Sequence, residues 1–264
     1  MPIKLPISAI VVGLNEGQLL RCCLPALTAC DEILYFDLGS TDDSIAVARR
    51  FGATVIEHPR VACCEEIHAS HAHRTKNEWV LITDPDEVIS PELMTELASV
   101  FATGRLHPGI GAVMAPWIFY FGQRALRGTP WGGLNRRVLL AHNQRFVFTP
   151  QVHVGRTLKA GYEYLHLEPT GGKIIHHYWM QGYRPLISKH RRYLKKEGAA
   201  RYAQGQRTGV RRLLLVPLRA FRQAYIRQAG YRDGLLGLGL SIFWAWYQTA
   251  AELALRRHQA QVAQ

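Results

Sequence analysis

The apolar run Trp79-Val80-Leu81-Ile82 passes through Thr83 into Asp84-Pro85-Asp86-Glu87, three carboxylates within four residues. A short apolar run bounded by polar residues reads as a buried strand, and no core accepts such carboxylates unpaired. At the carboxyl end of a parallel strand they would face the crevice where open α/β sheets bind ligands. Two aspartates one residue apart can hold a hard divalent cation that also bridges a pyrophosphate. The competing reading is a capped helix start, because Ser90-Pro91-Glu92 follows and acids favour helix N-termini.

The residues upstream favour the crevice. Residues 7–14 form a β-rich apolar run that ends at Asn15-Glu16-Gly17. Residues 18–29 have helical periodicity, with Leu19, Leu20, Cys23, Leu24 and Leu27 on about one face and Pro25 inside. A second strand, 32–36, ends in Asp37-Leu38-Gly39-Ser40-Thr41-Asp42-Asp43, where Ser40 or Thr41 can cap a helix over 44–51. A strand over 54–57 and a helix over 65–76 lead to the Trp79 strand. Strands alternating with helices at this spacing predict βαβ units and a parallel sheet. Three of the four strands end in acids or amides, which a parallel sheet gathers on one edge.

The series Ile10-Val11-Val12-Gly13-Leu14-Asn15-Glu16, Asp37-Leu38-Gly39-Ser40-Thr41-Asp42-Asp43-Ser44 and Asp84-Pro85-Asp86-Glu87 resembles, in order and spacing, the family 2 glycosyltransferases of the GT-A fold. Within that family it is most similar to the lipopolysaccharide-core glucosyltransferase type. Tyr231-Arg232-Asp233-Gly234, before an apolar helix, also resembles that subgroup. The resemblance implies an α/β fold of GT-A type, a Rossmann-like nucleotide-binding mixed sheet flanked by helices. It implies an inverting transfer of sugar from a UDP-sugar donor, with Mg²⁺ or Mn²⁺. Asp37 would accept the uracil imide, with Asn15, Glu16 and Ser40 beside it. Asp84 would bind the ribose or share the metal, and Asp86 would coordinate the metal on the pyrophosphate.

Two positions depart from the pattern. Where relatives have a Gln-Arg-Asn segment, this chain has Glu65-Glu66-Ile67-His68-Ala69-Ser70-His71-Ala72-His73, so Arg60 or Arg74 would have to supply the cation. The histidines at 68, 71 and 73 are expected on a solvated or substrate-facing helix. In Gln151-Val152-His153-Val154, Val154 stands where the subgroup shows an acid that would be the natural base. His153 is then the candidate base, with Glu87, Glu163 and Glu168 as others, and a catalytically inactive GT-A scaffold is the alternative.

Further along, the amphipathic pattern over 92–101 predicts a helix, and the apolar run 111–121 a core strand beginning the acceptor half. Gly128-Thr129-Pro130-Trp131-Gly132-Gly133 is expected as a flexible loop with an exposed aromatic, either closing over a sugar or making a simple turn. Arg136-Arg137-Val138-Leu139-Leu140 matches a family strand, as does Ile174-Ile175-His176-His177-Tyr178-Trp179. Adjacent residues of a strand point to opposite faces, so only one of the two histidines serves a site. His176 is favoured for the metal or pyrophosphate.

Charge divides the chain. The net charge is +12, but between Arg184 and Arg257 there are 16 Lys and Arg against three acids, leaving −1 for the remainder. This predicts a GT-A domain over 1–183, with a nucleotide-binding half 1–104 and an acceptor half 105–183, and a basic amphipathic helical region over 184–264. Leu214, Leu218, Phe221 and Tyr225 share one helix face with Arg212 and Arg219 opposite. The uncharged stretch 235–251 is short of a spanning helix and holds Trp244, Trp246 and Tyr247, which suit a headgroup interface. The alternative is a buried core with a solvated basic face. An anionic membrane surface is thus the expected partner, with a lipid-linked glycan as acceptor and the cytoplasmic face of the inner membrane as the expected location. A basic nucleic-acid binder is the remaining class, but no nucleic-acid motif accompanies the charge, so none is expected as partner. Five cysteines without a CxxC pair argue against a disulfide framework, and no signal peptide is expected before the first strand.

Overall fold

The computed structural model describes residues 4–61, 63–150 and 157–262. The chain divides into two compact units, one of Met1–Trp117 with Asn135–His177, the other of Ile118–Leu134 with Tyr178–Gln264.

The first unit begins as expected: β1 (Leu5–Gly13), α1 (Gly17–Leu27), β2 (Cys30–Asp37), α2 (Ser44–Arg50), β3 (Thr54–Glu57), α3 (Glu65–His71) and β4 (Trp79–Thr83). β1 pairs in parallel with β2 and β4, and β2 with β3. Then come β5 (Glu87–Ile89), α4 (Pro91–Ala102), β6 (Ile110–Phe121), β7 (Arg124–Ala125), β8 (Asn135–His142), β9 (Phe146–Val147), β10 (Thr157–Leu158), β11 (Glu163–His166) and β12 (Ile175–Met180). The main sheet runs β3-β2-β1-β4-β8-β6-β12-β5, with β8 antiparallel to β4 and β6, and β12 antiparallel to β5.

The near-continuous apolar run of β1 follows from cover on both faces. Ile7, Ala9 and Val11 pack with Leu20, Leu24, Leu93 and Leu97 from α1 and α4. Ile10 and Val12 point the other way, to Phe36, Val80 and Ile67 of α3. Pro25 falls in the last turn of α1, where its missing N–H costs the helix one backbone bond near its end. Ser90 caps α4 by accepting the Leu93 N–H at 3.2 Å, with Pro91 at the first helical position. The helix expected over 65–76 stops at His71 and tightens into a 3₁₀ turn, Ala72–Arg74. Its face also differs from expectation, since His68 is buried and His71 lies edge-on to Phe36 at 4.6 Å.

In the second unit, α5 (Tyr183–Ala203), α6 (Val210–Arg222) and α7 (Gly234–Val262) pack with α7 against both others. Gly198 lets α5 approach closely, as a Cβ there would lie 2.5 Å from the Ala254 carbonyl oxygen. Arg201 bonds Glu197 at 2.8 Å and faces Glu252 at 3.6 Å, while Arg212 pairs with the buried Glu252 at 2.7 Å.

That last pair sets the facing of α6, while α7 departs from the interfacial placement expected for its aromatics. Arg212 turned to α7, together with buried Ala220 and Ala224 at four-residue spacing, fixes the roll of α6. The face two residues round is therefore outermost, and Leu214 and Leu218 stand 72% and 68% exposed. In α7 the uncharged run makes core: Tyr247 and Phe243 are buried and Trp244 is partly buried against Leu126, Met180 and Leu186, leaving Trp246 exposed. No helix among the described residues is long and apolar enough to cross a membrane. The loop at 128–133 is anchored, with Trp131 against Trp179 at 4.6 Å and Trp244 at 5.5 Å.

His190 sits in this aromatic core, 4.9 Å from Phe243 and 4.8 Å from Tyr247. Burial pushes its imidazole below the ordinary value of 6.5, and Lys189 adds to the effect. His71, His142 and His176 are also lowered, each chiefly by burial. Below 6.5 the unfolded chain then binds more protons than the folded one, so their contribution is complete above that value and is lost as pH falls through it. The melting temperature is expected to drop between about pH 7.5 and 5.5. His190→Phe should make the drop shallower in a thermal-melt series, and a pH-independent melt would contradict the assignment.

Candidate active site

Parallel pairing aligns Val11 with Thr83 and Gly13 with Asp37, so β1, β2 and β4 present their carboxyl ends on one edge. Two loops there are laced together. Asn15 adopts φ +57°, a left-handed conformation that Asn tolerates better than most residues. Its Oδ1 accepts the Thr41 N–H at 2.7 Å, and its own N–H donates to Ser40 Oγ at 2.9 Å. The Glu16 N–H donates to Ser44 Oγ at 2.9 Å and the Gly17 N–H to Asp42 Oδ2 at 3.0 Å. Asp37 is 2% exposed; its Oδ2 accepts the N–H groups of Gly39 and Ser40 at 3.0 and 2.9 Å. Burial holds the Tyr35 phenol up at about 12, and its neutral O–H donates to Asp37 Oδ1 at 3.3 Å. The carboxylate shapes the loop with three donors, leaving lone-pair capacity on Oδ1.

The turn after β4 is braced from below. Glu87, 1% exposed, accepts the Asp84 N–H at 3.0 Å and the Thr83 O–H at 3.1 Å, and pairs with Arg137. Arg137 also donates to the Ile82 carbonyl at 3.2 Å and lies over the Trp117 ring at 5.3 Å. The other face of the system continues in rings: Trp117 and His177 stack 4.8 Å apart at 9°. His177 Nε2 is 3.2 Å from Asp86 Oδ2. Asp84, Asp86, Glu87, Arg137, Trp117 and His177 therefore make one connected assembly. The Cys23 Sγ approaches the Asp84 carbonyl at 3.8 Å, and burial, with Asp84 and Asp86 nearby, pushes its thiol up. It is a neutral packing group.

Several expected residues fall elsewhere. His177, and not His176, meets Asp86; His176 points to the opposite face of β12, where the charge it senses is Glu92. Glu87 has its carboxylate committed to Arg137, Thr83 and Asp84, which leaves it unsuited to take a proton from a substrate. Glu168 pairs with Arg136 at 3.1 Å and Glu163 is exposed on β11. Arg60 and Arg74 are exposed, whereas the cation at the turn is Arg137. His153 and Val154 lie outside the described residues.

Strand register explains what the sequence concealed. Leu81 opposite Leu140 carries Arg137 to the end of β4, Ala115 opposite Arg137 brings Trp117 near, and His177 opposite Glu87 completes the ring. The short β5 behind the turn has no sequence signature of its own.

Among the described residues no group of three or more His, Cys, Asp or Glu is preassembled around a cation position. Asp84, Asp86 and His177 nevertheless offer hard oxygen and imidazole donors of the kind Mn²⁺ or Mg²⁺ takes when a ligand supplies the remaining oxygens.

No family model matches the chain. It is 33% identical over 98 residues to an uncharacterized glycosyltransferase of Rickettsia felis, a match covering 37% of this chain and 34% of that protein. The matched stretch thus spans about a third of that relative. The chain is 25% identical to the lipopolysaccharide core biosynthesis glycosyltransferase LpsC of Rhizobium meliloti, over 96% of this chain and 93% of that one. Among solved structures, it is similar to a mannosyltransferase from Pyrobaculum calidifontis in complex with GDP-Man and Mn²⁺, with TM-score 0.53 and 14% identity over 96% of this chain and 88% of that one. The fold is of the GT-A type, and the relatives are glycosyltransferases.

Proposed function

We propose that this chain is an inverting glycosyltransferase that moves a sugar from a UDP-sugar to a lipid-anchored glycan, such as a lipopolysaccharide core or a polyprenyl-linked oligosaccharide. One observation carries the reading: the Asp84-Pro85-Asp86 turn, held by Glu87, Arg137 and His177, shares the carboxyl edge with the Asn15, Asp37 and Ser40 loops. Such an edge is where α/β sheets take nucleotides.

In this reading Asp37 offers its remaining Oδ1 capacity to the uracil imide, while Asn15, Glu16 and Ser40 set the loop that flanks the base. Asp84 faces the ribose. Asp86 and His177 would hold a divalent cation, with Asp84 available to share it, and such a cation would supply positive charge against the departing diphosphate. The 3.2 Å contact between His177 Nε2 and Asp86 Oδ2 fixes that carboxylate's direction before any ligand arrives. Glu87 and Arg137 are positioning residues: they hold the Asp84 backbone and never touch donor. The acceptor hydroxyl attacks the anomeric carbon as the bond to UDP oxygen breaks, and its proton passes to a base. His153 is the proposed base.

Membrane contact is proposed through α6, whose outward Leu214 and Leu218 are accompanied by Arg211 and Arg222 at helical spacing. The direct test is transfer of label from a panel of UDP-sugars into lipid-extractable product on vesicles bearing lipopolysaccharide core. Metal-dependent transfer from one donor is expected. Product formation from no nucleotide sugar, with intact binding of UDP, would favour an inactive scaffold.

A further inference from the structure

The second unit contains a groove for which the donor chemistry has no use. It is an open cavity of about 710 Å³ lined by Ile118, Ala125, Leu126, Leu134, Arg127 and Arg232. Its walls are apolar, and Leu134 is 49% exposed. Both arginines are exposed, and among the described residues neither guanidinium forms an ion pair or a side-chain hydrogen bond.

One buried carboxylate sets these two cations. Asp233, completely inaccessible, accepts the Arg127 N–H with both oxygens at 3.0 Å and the Gly128 N–H at 2.8 Å. Arg232 is its neighbour in the chain. The Thr129 N–H donates to the Gln228 carbonyl at 2.9 Å, and a Cβ on Gly128 would lie 2.1 Å from the Ala229 carbonyl oxygen. The Arg127 and Arg232 segments are thus stitched to each other by backbone bonds, and both side chains start from a fixed base.

The surrounding charge is one-sided. This unit has 18 Lys and Arg and only three acids. Asp233 is spent on the loop, Glu197 on Arg201, and Glu252 on Arg201 and Arg212. Among the described residues no acid lines the groove to compete for its arginines.

We propose that this groove binds the phosphorylated end of a membrane amphiphile, a phosphomonoester on Arg127 and Arg232 with the adjoining hydrocarbon on Ile118 and Leu134. Two planar guanidinium forks suit the oxygens of a phosphomonoester. A free anion would leave the apolar wall unused, and a neutral lipid would leave the cations unused. The inference deepens the lipid-anchored acceptor reading above, since the ligand would be the acceptor's anchor, but the site stands on the second unit alone.

Calorimetry of the full chain with dodecyl phosphate below its micellar concentration tests it, with inorganic phosphate and dodecyl maltoside as comparison ligands. One-site binding of dodecyl phosphate is expected, at least about tenfold tighter than inorganic phosphate. The double variant Arg127→Gln/Arg232→Gln should weaken it by at least about tenfold. That variant leaves the backbone bonds to Asp233 in place, so its melting temperature and its Mn²⁺-dependent UDP binding should match the wild type. Leu134→Ser should weaken dodecyl phosphate and leave inorganic phosphate unchanged. Equal affinity for inorganic phosphate would reduce the groove to an ion site, and equal affinity for dodecyl maltoside to an apolar patch; either overturns the proposal, as does an unaffected double variant. UDP binding measured on the same samples separates the two readings: its loss alone removes the donor site, and loss of dodecyl phosphate binding alone removes the groove.

Discussion

Replacing Arg137 with methionine should destabilise the first unit by about 3–5 kcal/mol, because it leaves the Glu87 carboxylate buried without its counter-charge. Glu87 is 1% exposed, and its bonds from Thr83 and the Asp84 N–H do not neutralise it. Methionine loses the cation over the Trp117 ring and cannot donate to the Ile82 carbonyl. Denaturant unfolding followed by Trp fluorescence would read the loss. Adding Glu87→Gln to Arg137→Met should return part of the stability, since a neutral amide still accepts the Asp84 N–H and carries no charge to bury. A loss no larger than that of an exposed surface arginine would contradict the ion pair as described. The same variant separates positioning from catalysis: if folded at low temperature, it should raise the metal concentration needed for UDP binding, because the Asp84-Pro85-Asp86 turn loses its brace.

The second large effect is on turnover. Asp86→Asn preserves shape and the reach to His177 but removes the carboxylate charge proposed to hold the cation. Transfer is expected to fall by about 10²–10³-fold, with the fold left intact because Asp86 is partly exposed at the tip of the turn. His177→Ala should cost less, since it removes the group that orients Asp86 together with one imidazole donor. His176→Ala should leave transfer near wild type, as its side chain faces away from Asp86. Initial rates against metal concentration check all three. An Asp86→Asn enzyme with wild-type rates, or a His176→Ala enzyme as impaired as His177→Ala, would overturn this arrangement.

Much of the parallel part of the sheet, β1 to β4, is legible in the sequence, because its strands are short and apolar and most end in polar residues on the same edge. Asn15, Asp37, Asp84 and Asp86 stand at those strand ends, so chain order alone brings them together. The remainder depends on antiparallel registers that no local pattern encodes. Arg137 meets Glu87 across fifty residues of sequence because β8 runs back along β4. His177 and His176 are indistinguishable as letters; only the pairing of His177 with Glu87 decides which face each takes. In the basic region, composition predicts amphipathic helices but not their roll. The Arg212–Glu252 pair and the small Ala220 and Ala224 turn α6 so that its leucines face outward, while the aromatics of α7, which suit a headgroup interface by type, largely fill a core. Trp131 is partly buried for the same reason: the glycines around it allow tight loop packing as well as exposure, and Asp233 selects the former.

The edge around Asp37 and Asp86 is proposed as a metal-dependent nucleotide-sugar site. Calorimetric titration of UDP into the full chain, with and without Mn²⁺, on wild type and Asp86→Ala, tests it most directly. Binding that requires Mn²⁺ and is lost in Asp86→Ala is the expected result. No UDP binding under any metal condition, or binding indifferent to both Mn²⁺ and Asp86, would contradict it.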